Sequence, residues 1–245
     1  MINKELVKKR FEKSLKTYDD NAIAQKHMAK TLIDYLPCYN YNSILEIGCA
    51  TGILTGYIKE KLHFSQFYAN DIVCEASKFI DKIIPGNIFI NGDIEEIILN
   101  NKYDLIISNA CLQWCGDIEK TISKLMKALN KKGILAFSTF GDNNLKEIKK
   151  IFNFENRLYS TEQLKNILNR YNILSFEEEE IRLEFDTPVD ILRHLKNTGA
   201  NALVQMTLTK SKLKNFEEKY CELYRTKQSV YLTYNPVYIV VSARN

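Results

Sequence analysis

The chain has 245 residues, 45% of them hydrophobic, and a formal charge of +4 from 34 basic and 30 acidic side chains. That is enough apolar material for one large core, which excludes a disordered or fibrous protein. The dispersed, mildly basic balance excludes a nucleic-acid-binding stripe but permits a small anionic substrate or an acidic partner.

Val7, Phe11 and Leu15 recur four residues apart, and residues 22–36 carry a second helical pattern, so the chain is expected to open with two helices. "NSILEIG" then reads as a short buried strand and "CATGILTGYIKEKL" as a glycine-bearing turn feeding a helix. The alternation continues through "FSQFYANDI" (strand), "CEASKFIDKII" (helix), "NIFINGD" (strand), "IEEIILN" (a short helical piece), "YDLIISN" (strand), "IEKTISKLMKALN" (helix) and "GILAFSTFG" (strand). This rhythm predicts a doubly wound α/β fold around a mainly parallel sheet. Further on, helices are expected at 144–153 and 161–170, and "FEEEEIRLEF" alternates as a strand with one wet face. Pro188 and Gly199 bracket the helix "VDILRHLKNTG", "KSKLKNFEEKYCELY" forms another, and "NPVYIVVSA" supplies a last strand. No apolar run approaches the ~20 residues of a membrane span, and "MINKELVKKRFEK" lacks a signal-peptide core, so the cytoplasm is expected.

The stretch "ISNACLQWC" sets the only tryptophan, Trp114, beside Cys111 and Cys115, and can be read as a metal site, a nucleophilic cysteine or a strand end at a pocket. The six cysteines include no CxxC pair and no neighbouring histidine at ligand spacing, which argues against a metal and for packing thiols.

"ILEIGCATG" places Glu46 at the end of a buried strand, with Gly48 and Gly52 in the turn that follows. Glycines there let a ligand approach the backbone. Asp71 ends the next strand 23 residues after Gly48, where a carboxylate can take both hydroxyls of a ribose. Asp93 ends the third strand, placed to accept from an adenine amino group, and Asn109 ends the fourth. Three carboxylates suit a nucleoside with a cationic tail and would repel phosphate, which points to S-adenosylmethionine.

"ILEIGCATG", "ANDI", "NGDIEE" and "YDLIISNACLQW" resemble motifs I to IV of class I S-adenosylmethionine-dependent methyltransferases. More narrowly, "RFEKSLKTYDDNAIAQKHMA", "SNACLQWC", "FSTFG", "DILRHLKNTGAN", "LTKSKL" and "LTYNPVYIVVSA" resemble the malonyl-acyl-carrier-protein O-methyltransferases of biotin synthesis, the BioC family. The resemblance covers almost the whole chain. It implies a Rossmann-like seven-stranded sheet with an N-terminal helical lid (1–40), a cofactor-binding core (41–142) and remaining strands plus a helical cap (143–245), together one compact domain. The implied cofactor set is Glu46, Gly48, Cys49, Gly52, Asp71, Ile72, Asp93, Ile94 and Asn109, with no metal and S-adenosylhomocysteine as by-product. The implied reaction esterifies the free carboxylate of malonyl-acyl carrier protein, on the way to a pimeloyl chain. The enzyme is expected to act as a monomer, with no nucleic-acid or membrane partner.

A malonyl carboxylate is ionised at neutral pH, so no catalytic base is expected, only alignment and exclusion of water. Arg193 is the expected grip on that carboxylate, because a guanidinium can form two parallel hydrogen bonds. His194, turned about 100° away on a helix, is expected to be structural. Tyr18 is the expected lid residue, and Gln113 and Trp114 are expected at the pocket mouth. Lys8–Arg10, Lys146–Lys150 and Lys210–Lys214 are candidate surfaces for the acidic carrier. Ala50, "NKKG" and "NTGAN" depart from the family's usual glycine, "KPGG" and "GIGA". Two alternatives remain open: methylation of another small carboxylate or hydroxyl, and an assembly factor resembling an arginine hydroxylase on the same fold.

Overall fold

The computed structural model describes residues 3–153, 158–199 and 209–244. Three helices open it: α1 (Lys4–Ser14), the single turn α2 (Tyr18–Asn21) and α3 (Ile23–Asp34). Then β1 (Ser43–Ile47), α4 (Ile53–Lys61), β2 (Gln66–Asp71), α5 (Ser77–Ile83), β3 (Ile88–Asn91), β4 (Tyr103–Asn109), α6 (Ile118–Lys127) and β5 (Leu129–Phe140) follow in strict alternation apart from β3–β4. The residues between β3 and β4, expected as a short helix, form a turn at 94–97 with Ile98 81% exposed. Ile94 is buried and Ile97 and Leu99 pack against the same core while Ile98 projects to solvent, so no single apolar face runs along the stretch to sustain a helix.

The remaining elements are α7 (Lys146–Phe152), α8 (Thr161–Leu168), β6 (Asn172–Glu178), β7 (Ile181–Phe185), α9 (Pro188–Asn197), α10 (Lys210–Tyr224), β8 (Val230–Tyr234) and β9 (Pro236–Ser242). "FEEEEIRLEF" is therefore two strands, not one. β6 joins the main sheet, whereas β7 pairs with β8 in a separate two-stranded sheet. The stop and start signals of α9 hold: Thr187 and Asp190 cap it reciprocally, Pro188 occupies its first turn, and Gly199 has φ +72° just past its end.

The main sheet has seven strands in the order β3-β2-β1-β4-β5-β9-β6, parallel from β3 to β5 and antiparallel on both sides of β9. Alternate residues of each strand feed opposite layers. Ile44 and Leu105 face α3, α4 and α5, while Leu45, Ile47 and Ile106 face α6 and α8. The chain reverses its winding between β1 and β4, and the crevice beyond the carboxyl ends of those strands is where open α/β sheets take ligands. No helix among the described residues is long and apolar enough to cross a membrane.

Candidate active site

The carboxyl ends of four parallel strands converge on one cavity of about 90 Å³. Gly48 and Ala50 come from the turn after β1, Asp71 and Ile72 from the end of β2, Asp93 and Ile94 from beyond β3, and Asn109 from the end of β4. α1 and α2 form its roof through Lys4, Val7, Phe11, Leu15 and Tyr18. A second cavity of about 20 Å³ lies between the roof and the cap, lined among others by Gln25, Gln113, Phe140, Leu145 and Tyr234. Phe11, Tyr18, Ala110 and Trp114 line both cavities, so they form a shared wall.

The β1 turn is anchored from below. Gly48 N–H and Cys49 N–H donate to the Asn70 carbonyl at 2.8 and 3.1 Å. Asp71 accepts from Ala50 N–H and Val73 N–H, both at 2.8 Å, so each carboxylate oxygen already holds backbone. Burial nevertheless raises the Asp71 pKa. Asn109 is fixed from two sides: its Nδ2 donates to the Gln25 carbonyl at 3.0 Å and Ser138 Oγ donates to its Oδ1 at 2.6 Å.

Among the described residues, four non-glycine ones adopt positive φ, and three border these cavities: Ala50 (+46°), Ala110 (+49°) and Leu145 (+55°). Such backbone disfavours L-residues and persists where surrounding structure holds it for a function. Ala50→Gly should therefore raise stability by about 1 kcal/mol, read as a higher melting temperature. An unchanged or lowered temperature would show that the turn carries no strain.

Several expected cofactor residues stand behind the cavity. Glu46 is 1% exposed and accepts from Thr55 Oγ1 at 2.6 Å, and burial, assisted by Asp71, pushes its pKa up to about 8. It does not line the cavity. Cys49 is buried, and Gly52, with φ +88°, starts α4 where a Cβ would lie 2.3 Å from Ile83 Cδ1. These three shape the turn that carries Gly48 and Ala50. The cysteines of "ISNACLQWC" both line this cavity, as neutral thiols: burial raises the Cys111 thiol pKa well above its usual range and that of Cys115 to about 12.

Arg193 is not brought to either cavity. Its side chain is 63% exposed and pairs with Asp190 one turn earlier. The buried stripe of α9 is Ile191, His194 and Leu195, and Arg193 falls off it. His194 Nε2 instead lies 2.8 Å from Tyr234 Oη, and burial lowers its pKa to about 4, so it is a neutral prop behind the second cavity. Of "LKNTGAN", Ala200 and Asn201 lie outside the described residues, as does Leu208 of "LTKSKL". Gln113 and Trp114 line the second cavity, with Gln113 Nε2 donating to the Ala110 carbonyl at 2.6 Å.

Two contributors were not foreseen. Lys4 bridges Asp93 at 3.0 Å and also pairs with Glu95, tying the first turn of α1 across the cavity. Burial opposes its charge, yet the hydrogen bonds to Glu95 and Asp93 leave its pKa raised. Gln25, 5% exposed, sits on the apolar stripe of α3 with Met28, Ala29 and Leu32. A glutamine in that phase was the available signal.

Comparison with known proteins bears on the family of the chain. A family described as a methyltransferase domain matches residues 18–205. A malonyl-[acyl-carrier protein] O-methyltransferase from Calditerrivibrio nitroreducens is 38% identical over 240 residues, covering 96% of this chain and 95% of the relative. Proteins of the same description from Chlorobium luteolum and Haemophilus influenzae are each 31% identical, over 100% and 98% of this chain and 97% and 94% of their own lengths. Among solved structures, the N-methyltransferase NodS from Bradyrhizobium japonicum, in complex with S-adenosyl-L-homocysteine, superposes with a TM-score of 0.59 at 14% identity, covering 98% of this chain and 99% of that one. An S-adenosylmethionine-dependent methyltransferase from Clostridium acetobutylicum gives 0.53 at 14% identity, over 94% and 92%. At that identity the superpositions establish the fold alone, whereas the full-length relatives establish more: this chain belongs to the malonyl-[acyl-carrier protein] O-methyltransferase family of S-adenosylmethionine-dependent methyltransferases.

Proposed function

We propose that the enzyme moves a methyl group from S-adenosylmethionine to the free carboxylate of malonyl-acyl carrier protein, giving the methyl ester that primes pimeloyl synthesis for biotin. The observation that carries this is the wall of Phe11, Tyr18, Ala110 and Trp114 common to both cavities. It is the one place where a group in the strand-end cavity meets a group in the second.

The residues of the first cavity fit a nucleoside with an amino-acid tail. Asp71 and Asp93 would offer acceptors to its hydroxyl and amino groups, Ile72 and Ile94 would supply apolar contact to its ring, and Gly48, Ala50 and Asn109 would present backbone and amide to its polar tail. Held there, S-adenosylmethionine would supply an electrophilic methyl to the acceptor oxygen, with the electron pair of the carbon–sulfur bond left on sulfur and no proton transfer. The chain's own task is then positional. Phe11, Tyr18 and Trp114 exclude water and hold the two partners in line.

The cavity of about 90 Å³ is smaller than the roughly 300 Å³ or more of ligand clefts. The segment up to about residue 40 therefore acts as a lid, latched by Lys4. An ion pair of this exposure stabilises by about 1 kcal/mol, so Lys4→Met should speed release of S-adenosylhomocysteine roughly fivefold in stopped-flow measurements. An unchanged release rate would show that α1 does not gate the cavity.

The reaction is tested by offering the enzyme S-adenosylmethionine with malonyl- or acetyl-acyl carrier protein. Methylation of the malonyl form alone is expected. Methylation of both, or of a hydroxyl acceptor instead, would contradict it.

A further inference from the structure

We infer that the acceptor carboxylate is held by two uncharged groups, the indole N–H of Trp114 and the carboxamide of Gln25, and not by an arginine. The inference rests on the reaction proposed above and names the residues that select its substrate.

Among the described residues, three buried side-chain polar atoms have no hydrogen-bond partner: Gln25 Oε1, Trp114 Nε1 and Asn87 Oδ1. Asn87 lines neither cavity, whereas Gln25 and Trp114 both line the second one. Buried polar atoms are otherwise satisfied in folded proteins, so two unsatisfied ones on residues that line one small space mark a ligand position. The indole offers only a donor. The carboxamide presents a donor or an acceptor according to a half-turn of its terminal bond. With its NH₂ turned inward, the pair offers two donors, which an anion with two oxygens accepts.

The surroundings favour this over a cation. No lysine or arginine among the described residues lines the second cavity, and Phe11, Phe140 and Leu145 make much of its wall apolar. Arg193 points to solvent with Asp190. A guanidinium would draw electron density from the oxygen that must attack, and would hold its carboxylate most firmly before reaction. Uncharged donors orient the carboxylate and leave it nucleophilic. The compensating positive charge is the sulfonium across the shared wall. Once the methyl has crossed, both partners are neutral, and no fixed charge retains the ester.

Because Trp114 is the only tryptophan, its emission reports this cavity directly. The enzyme, saturated with S-adenosylhomocysteine, is titrated with malonyl-coenzyme A, then with acetyl-coenzyme A, which lacks the carboxylate. Gln25→Leu should weaken malonyl-coenzyme A binding roughly ten- to a hundredfold, as expected for loss of a hydrogen bond to a charged group. Its affinities for acetyl-coenzyme A and, by calorimetry, for S-adenosylhomocysteine should stay within about twofold of wild type, because the Gln25 carbonyl that holds Asn109 is untouched. Trp114→Phe keeps an aromatic ring against Phe11 and should raise KM for malonyl-acyl carrier protein about tenfold with a smaller change in kcat. Unaltered malonyl binding in Gln25→Leu, or a malonyl-specific loss in Arg193→Ala, would overturn the inference while methyl transfer by the wild type left the reaction standing. Absence of methyl transfer by the wild type would remove both.

Discussion

Gly48→Ala should lower affinity for S-adenosylmethionine by about two orders of magnitude and destabilise the fold by roughly 2 to 5 kcal/mol. Two independent effects act at this position. Its φ of +69° places any L-residue in the left-handed region. A Cβ there would also lie 2.4 Å from Cys111 Sγ and 2.6 Å from Cys111 Cβ. Turning the cysteine to another rotamer moves only the sulfur, so the backbone of β1 or β4 must give. Those two strands carry Ala50 on one side and Asn109 on the other, so the displacement opens the cavity where the cofactor's tail belongs. The two effects separate in a double-mutant cycle: Cys111→Gly in the Gly48→Ala background should restore the overpacking part and leave the conformational part. Calorimetry with S-adenosylhomocysteine and thermal unfolding read both. Binding within threefold of wild type would show that the turn does not cradle the cofactor.

Glu46→Gln should make the protein markedly less sensitive to alkaline pH. Burial, with Asp71 nearby, raises the folded-state pKa of Glu46 from 4.5 to about 8, against the opposing hydrogen bond from Thr55. The folded protein thus binds a proton that the unfolded chain has released, and stability falls as pH rises between those values. The contribution is fully present below about pH 4.5 and lost as pH passes through about 8. At ~1.4 kcal/mol per pH unit, the span amounts to an upper bound on the order of 5 kcal/mol. Glutamine keeps the shape and the Thr55 bond but does not titrate. Melting temperatures of wild type and variant should agree near pH 5 and diverge by pH 9, with the variant higher. Parallel pH profiles would show that Glu46 is ionised in the folded protein.

This changes what the strand-end carboxylates mean. In sequence, Glu46, Asp71 and Asp93 read as three negative charges converging on a cationic ligand. In the fold, Glu46 is a buried, largely protonated support for the helix after it, Asp71 already holds two backbone amides, and Asp93 is neutralised by Lys4. The order of strands and the edge on which they end were legible because period-two apolar runs and glycine turns are local signals. Which side chains of a motif face the ligand and which face the core was not, because that depends on the pleat and on what packs behind it. Glu46 and Ile44 share a face of β1 by strict alternation, and that face meets α3 and α4.

The cap shows the same limit. β7 and β8 form their own sheet and β6 leaves for the main one, a division hidden by the run of four glutamates that spans the turn between β6 and β7. In sequence, Arg193 reads as the grip on the carboxylate, because a guanidinium can form two parallel hydrogen bonds. Its phase on α9 removes it: the stripe through Ile191, His194 and Leu195 is the buried one, and Arg193 lies off it. Gln25 was legible by the same reasoning, as a polar residue at an apolar phase of α3, but a lone glutamine attracts less attention than a charge.

The most direct measurement is mass spectrometry of the carrier protein after incubation with enzyme, S-adenosylmethionine and malonyl-acyl carrier protein, with fragmentation of the pantetheine arm. One methyl on the terminal carboxylate, removed by mild alkali as an ester must be, is the expected result. No methyl despite calorimetrically demonstrated cofactor binding, or a methyl on a side chain of the carrier, would contradict it.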